Sequence, residues 1–221
     1  MVLEQVAFDI ETTGFDVEDE VTVVGFGLSM RVRVFVQTGG RPPGDVTSEV
    51  EAATDAVVNV STHASEEGLL VAVSGFVADR LCGSDVLLVA YNGERWRGGF
   101  DVPFLRTRYA RLGVAWPFAD VAYADVMSVV ADRFNTTVDG EEHRDLAGVY
   151  EVLCDGEYGA VDPFDGSEAA VAAFENGWFA ELTLHNVADV LRTQALGRVA
   201  ERYCSKSDFG VKSLTPTRAG E

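Results

Sequence analysis

Three strand-like runs crowd into the first 38 residues, and they limit the fold more than anything else in the chain. Residues 4–11 are rich in Val, Phe and Ile. "EVTVVGFGLSM" (20–30) and "RVRVFVQT" (31–38) follow closely, with Val32, Val34 and Val36 alternating in part with Arg31, Arg33 and Gln37. Parallel neighbours need a crossover of about a dozen residues or more, so runs this close pair antiparallel. "GGRPPGD" (39–45) reads as a turn, and the stretch after it is poorly defined. The pattern then changes. A helix is expected over 65–81, opened by a Ser-x-Glu cap, and "DVLLVAYN" (85–92) suits a strand buried on both faces. A helix over 100–113 tolerates Pro103 in its first turn. A strand is expected near 118–124, with helices near 125–134, 144–154, 167–177 and 183–203. Strands separated by helices add in parallel. The expected fold is therefore α/β, a mixed sheet of three antiparallel strands followed by parallel ones, with helices on both faces. Without an internal repeat or linker, residues 1–205 read as one domain. Residues 206–221, polar and carrying Pro216 and Gly220, read as a loose tail.

The net charge of −19 is carried against 15 Arg and only two Lys, Lys206 and Lys212. Such acidity opposes phosphate binding, which Lys and Arg drive. It also suits a protein working in very high salt, where the Debye length falls to about 3 Å at 1 M. The charge is therefore read as a statement about the solvent, pointing to a halophilic source. Cys82, Cys154 and Cys204 are widely spaced, and no C-x-x-C pair suggests zinc or a disulfide framework. The N-terminal residues include Glu4 and Asp9 and lack a basic leader, so no signal peptide is expected. The longest charge-free apolar run, Gly68 to Ala78, is too short to span a bilayer. A cytoplasmic location and no membrane partner are expected.

"FDIETTGFD" (8–16) sets Asp9 and Glu11 two apart on the first strand, so both side chains share one face. Like charges on one sheet face are costly unless a cation lies between them. Alone, the pair has little specificity and reads as a frayed, solvated strand end. Asp101 lies at an expected helix start, where Asp is also a common N-cap. His185 and Asp189 stand four apart, one turn along a helix face, which also describes an ordinary surface pair.

Taken together, "DIETTG" (9–14), "NG…FDVPFL" (92–105) and "HNVAD" (185–189) resemble the three motifs of the DEDD 3′–5′ exonucleases, which have an RNase H-like fold. The resemblance covers roughly residues 4–195, and its first two motifs are the more specific. The resemblance is to the predicted RNase H-like exonucleases near the DNA polymerase proofreading type, and with the charge it suggests a haloarchaeal source. It implies that Asp9, Glu11, Asp101 and Asp189 hold two Mg²⁺ or Mn²⁺ ions, which clamp a phosphodiester during in-line attack by water. It also implies a substrate with a single-stranded DNA or RNA 3′ end, and His185 as general base. Thr12, Thr13, Gly14 and Asn92 are then candidates for contact with the terminal nucleotide.

Two departures bear on these roles. Members of the family place His five residues, or Tyr four residues, before the last Asp; here His185 stands at the Tyr spacing, which leaves the base assignment open. Between Asn92 and Phe100 lies an inserted "GERWRGG". Its Trp96, flanked by Arg95 and Arg97, suits base stacking and equally an ordinary turn. Arg106, Arg108, Arg111 and Arg192 are candidates for gripping substrate. "HRDL" (143–146) and "DFG" (208–210) mimic kinase motifs, but Tyr150 occupies the position of the expected Asn, and no Gly-rich loop or Val-Ala-x-Lys strand is present. Asp145 is read instead as a helix cap. The competing functions are a non-catalytic RNase H-like module that binds nucleic acid or protein, and an RNase H-type endonuclease.

Overall fold

A computed structural model describes residues 3–83, 85–94, 100–154, 158, 161–164 and 166–218. Strands β1 (Glu4–Thr12), β2 (Val21–Leu28) and β3 (Arg31–Gln37) form an antiparallel meander, as their crowding requires. The fully apolar β5 (Val86–Ala90) lies parallel to β1, and β6 (Ala122–Asp125) lies parallel to β5. Its position between two neighbours, with layers on both faces, explains why β5 reads VLLVA without alternation. The topology is a mixed RNase H-like α/β sheet.

Both edges of the sheet differ from expectation. The ill-defined stretch after the Gly-Pro loop holds helix α1 (Val46–Ala53) and strand β4 (Val58–His63), which adds parallel to β3. The segment expected to be a loose tail forms a 3₁₀ turn at Lys206–Phe209 and strand β9 (Lys212–Ser213), antiparallel to β6. Phe209 and Leu214 are buried there, and the Trp116 indole donates to the Leu214 carbonyl at 3.0 Å. These two apolar anchors hold a segment that is otherwise polar. The complete sheet order is β4-β3-β2-β1-β5-β6-β9; β7 (Thr137–Val138) and β8 (Glu141–Glu142) form a separate small ladder.

Helices α2 (Glu66–Arg80) and α3 (Asp101–Leu112) cover one face, over Val6, Phe8, Ile10 and Phe26. Ser65 caps α2 by accepting from the Gly68 amide, and Asp145 caps α5 by accepting from the Gly148 amide. The other face carries α4 (Val126–Arg133), α5 (Leu146–Cys154), α6 (Ser167–Asn176) and the long α7 (Phe179–Tyr203). Helix α7 begins a turn earlier than its sequence suggests. It is buried through most of its length because α1, α4, α5 and α6 pack around it while the sheet lies beneath.

Glycines set how closely α7 approaches. A Cβ on Gly27 would lie 2.9 Å from Val190 Cγ1, and one on Gly25 would collide with the Asn186 side chain. The register pairs Gly25 with Asp9, so the helix comes nearest the sheet beside that carboxylate. A bulge after Glu11 then ends the regular pairing of β1 with β2.

Arg108, a candidate for substrate grip, serves the fold instead. Its guanidinium makes a bidentate pair with Glu66 at 2.7 and 2.6 Å, and also donates to the Val17 carbonyl at 3.0 Å. Glu66 accepts in addition from the Val21 amide at 2.9 Å, so one buried pair ties α2 and α3 to the β1–β2 connection. Arg111 pairs with Glu18 near the surface, and the exposed Arg106 lies over the Trp116 ring. Glu66→Ala strands a buried guanidinium. It is expected to cost roughly 3–5 kcal/mol, read from the urea midpoint, and Glu66→Leu/Arg108→Met is expected to cost less.

Candidate metal centre

The odd-numbered residues of β1 face α7. Ala7 joins the apolar core beneath that helix, and Asp9 and Glu11 continue the same row toward the strand end. Asn186 donates its side-chain amide to Asp9 at 2.8 Å. Glu11 is 7 % exposed and faces His185, whose Nε2 lies 4.0 Å from Glu11 Oε1 and 3.9 Å from Asp189 Oδ2. Glu11, His185 and Asp189 each offer a ligand atom, and these atoms all lie within 4.8 Å of one another. Among the described residues this is the group of three close enough to share one ion. It is a candidate chelating cluster for a single metal. Asp9 and Asp101 lie outside it.

Asp101 is the first residue of α3 and does not cap it, since the N-cap position is Phe100. It is 7 % exposed, and its Oδ2 is buried without a hydrogen-bond partner. Gly93 leaves it room: a Cβ there would lie 3.2 Å from Asp101 Oδ2 and 2.6 Å from Ala90 Cβ. Asn92, at φ +61°, turns the chain out of β5, and its amide donates to Asp125 at 3.0 Å. The Asn92 and Gly93 carbonyls accept from the Phe100 and Val102 amides at 2.9 Å, which pins both ends of the insertion. Trp96 lies outside the described residues.

The four acids act on one another as charges. Burial pushes the Asp9 carboxyl well above its usual range, and Glu11, Asp101 and Asp189 push it further. Burial likewise raises Asp101, with Glu11, Asp125 and Asp189 adding to it. Glu11 is raised by burial to about 7, against the opposing pull of His185. Burial also raises Asp189, although His185 and Arg192 resist it. A set of buried, mutually repelling oxygens with an unpartnered Oδ2 is the donor chemistry of a hard divalent cation.

His185 is held by a residue the sequence did not point to. Asp162 Oδ1 lies 2.7 Å from His185 Nδ1, while Asp162 Oδ2 accepts from Arg192 Nη1 at 2.6 Å. The same Arg192 nitrogen donates to Asp189 Oδ1 at 2.6 Å. Arg192 is therefore buried within the cluster and unsuited to gripping substrate from the surface. Burial disfavours both charges here. Even so, the hydrogen bonds from His185 and Arg192 hold Asp162 below the ordinary carboxyl range. Burial lowers the His185 pKa, but Asp162, Glu11 and Asp189 raise it more, to about 9. Glu181, one turn before His185, is exposed, and the imidazole bonds to Asp162 instead. Asp162 lies 23 residues away in a short connecting segment, with no spacing signal to mark it.

The Thr-Thr-Gly turn holds itself. Thr12 Oγ1 donates to the Gly14 carbonyl at 2.7 Å, and Thr13 Oγ1 donates to Asp19 at 3.0 Å. A Cβ on Gly14 would lie 2.5 Å from the Asp19 carboxylate. Next to this turn, Phe15 is 61 % exposed and stands edge-on to Phe100, with ring centroids 5.0 Å apart. Together with Glu11, Thr12 and Gly14 they line a cleft of about 150 Å³ beside the cluster.

No protein-family model matches the chain, and no curated protein matches it significantly. No described helix is long and apolar enough to cross a membrane.

The acids' repulsion has a measurable consequence. A carboxyl whose folded pKa is raised ionises first in the unfolded chain. Its contribution is therefore present at low pH and is lost as pH climbs, for Glu11 between its ordinary 4.5 and about 7. Glu11→Gln is expected to flatten this window in EDTA and to stabilise the metal-free protein at pH 8 by about 1–3 kcal/mol. Thermal melts of both proteins from pH 5 to 8 check it.

Proposed function

We propose that the chain is a metal-dependent 3′–5′ exonuclease that hydrolyses single-stranded DNA or RNA from its 3′ end. The observation that carries this reading is the compact Glu11–His185–Asp189 group, with Asp9 on the same strand face and Asp101 buried with an unpartnered Oδ2, its carboxyl raised by burial and by the charges of Glu11 and Asp189. Such an arrangement opposes folding unless a cation is its purpose. Glu11, Asp189 and His185 would hold one divalent ion, and Asp9 and Asp101 would extend the donor set toward a second Mg²⁺ or Mn²⁺. Bound there, divalent charge would activate the attacking water and steady the leaving oxygen of an anionic ester.

The remaining features support a nucleotide end as the substrate. The braced turn at Thr12, Thr13 and Gly14 fixes the rim of the cleft, and the exposed Phe15 offers a ring face for stacking a base in any sequence. Asn92, which turns the chain out of β5 and is held by its backbone bond to Asp125, would meet the terminal nucleotide. His185 Nε2 faces the same space as Glu11 and Asp189, placed either to take a proton from water or to offer its lone pair to an ion. The acidic surface fits work in concentrated salt, where it would repel a polyanion least.

Purified protein with Mg²⁺ or Mn²⁺, tested in low and molar salt, is expected to shorten a 5′-labelled single-stranded oligonucleotide stepwise from its 3′ end and to leave a circular one intact. Asp9→Asn is expected to lower the rate by at least about 10³-fold while preserving the circular dichroism melt. Cleavage of the circle points to an endonuclease; no cleavage of either substrate overturns the reading.

A further inference from the structure

We infer that His185 is a metal ligand rather than the general base, held in that role by Asp162, and that the Glu11–His185–Asp189 site selects a first-row transition-metal dication over Mg²⁺. The inference rests on the metal-centre part of the reading above and not on the nuclease activity. His185 Nε2 lies almost equally far from Glu11 Oε1 and Asp189 Oδ2, at 4.0 and 3.9 Å. Those separations exceed a hydrogen bond, yet the three atoms form one compact group that a single ion can span.

The far side of the ring gives an independent observation. An imidazole that ligates a metal characteristically passes its other N–H to a carboxylate, which fixes the tautomer and the ring orientation. Asp162 supplies that partner at 2.7 Å, and its side chain is 5 % exposed. Asp162 keeps the Nδ1 proton, so an ion that displaces the Nε2 proton would meet a lone pair directed at the space shared with the two acids. Arg192 completes the brace, because one of its nitrogens bonds both Asp162 and the ligand Asp189 at 2.6 Å. Two of the three donors are thus oriented by one buried, hydrogen-bonded unit. A nitrogen donor shifts the preference of the site. Mg²⁺ takes oxygen ligands and water almost exclusively, whereas imidazole raises affinity for later first-row metals.

The test titrates the metal-free full chain with Co²⁺ and with Mg²⁺ by calorimetry, and follows Co²⁺ binding by its visible absorption. Wild type is expected to bind Co²⁺ at least tenfold more tightly than Mg²⁺. His185→Ala is expected to lose most of that preference and to change the Co²⁺ spectrum. Asp162→Asn is expected to weaken Co²⁺ binding about 10–100-fold, with Asp162→Glu restoring part of it. Co²⁺ affinity and spectrum unchanged in His185→Ala would overturn the inference; should that variant not fold, unchanged affinity in Asp162→Asn would do so. Selective Co²⁺ binding by a protein that cleaves no oligonucleotide would sink the exonuclease reading and leave this one standing. Activity in His185→Ala at undiminished Co²⁺ affinity would do the reverse.

Discussion

The close seating of α7 on β1 and β2 is the constraint from which the rest of the site follows. Repelling carboxylates stay together only when the frame that carries them is harder to move than the charges are to separate. Here the frame is a sheet whose central strands are buried on both faces and a helix buried through most of its length. Gly25 and Gly27 remove the side chains that would hold the two apart. The bond from Asn186 to Asp9 then fixes the helix's rotation at the point where the ligand residues emerge. A larger residue at Gly25 would displace Asn186, and with it the helix turn carrying His185 and Asp189.

Two arginines of the fold are committed inside it. Arg108 and Arg192 sit in buried pairs with Glu66 and with Asp162 and Asp189. Neither is left for a substrate. In a chain of net charge −19, the proposed exonuclease reading would therefore need bound metal to offset an anionic ester, since these two arginines are committed to pairs. It also separates two uses of acidity. The surface carboxylates answer to solvent and are screened by salt. The carboxylates of the cluster lie where salt penetrates poorly, and their repulsion persists.

Much of the fold could be read directly from periodicity. The crowding of the first three strands and the helices between later strands carried the sheet's central order. What periodicity missed lay at the edges, where the side-chain pattern is weakest: β4 reads VNVSTH and is only partly apolar, and β9 spans two exposed residues anchored by Phe209 and Leu214 on either side. Within the site, Asp9, Glu11, Asp101, His185 and Asp189 stood out because together they resemble three motifs of one family, although each alone suits an ordinary structural role. Asp162 and Asn186 did not, for a physical reason. Their importance lies in single contacts made across the fold, and such contacts leave no period in the chain. The buried arginines misled in the same way, since an Arg on a helix looks solvated until its partner is known.

The spacing of His185 and Asp189 connects sequence to chemistry most directly. Residues four apart on an α-helix differ in direction by about 40°, whereas residues five apart differ by about 140°. A histidine five positions before the aspartate therefore approaches a reaction centre from a different side than the carboxylate does. At four positions the ring and the carboxylate project together, one turn apart, and both reach the same point, as paired helical metal ligands do. The 3.9 Å between Nε2 and Oδ2 is that geometry realised. Spacing by four thus sets the imidazole in the same row as the Asp189 carboxylate. Asp162 turns the ring at that position, since its bond to Nδ1 leaves Nε2 as the nitrogen that faces the acids.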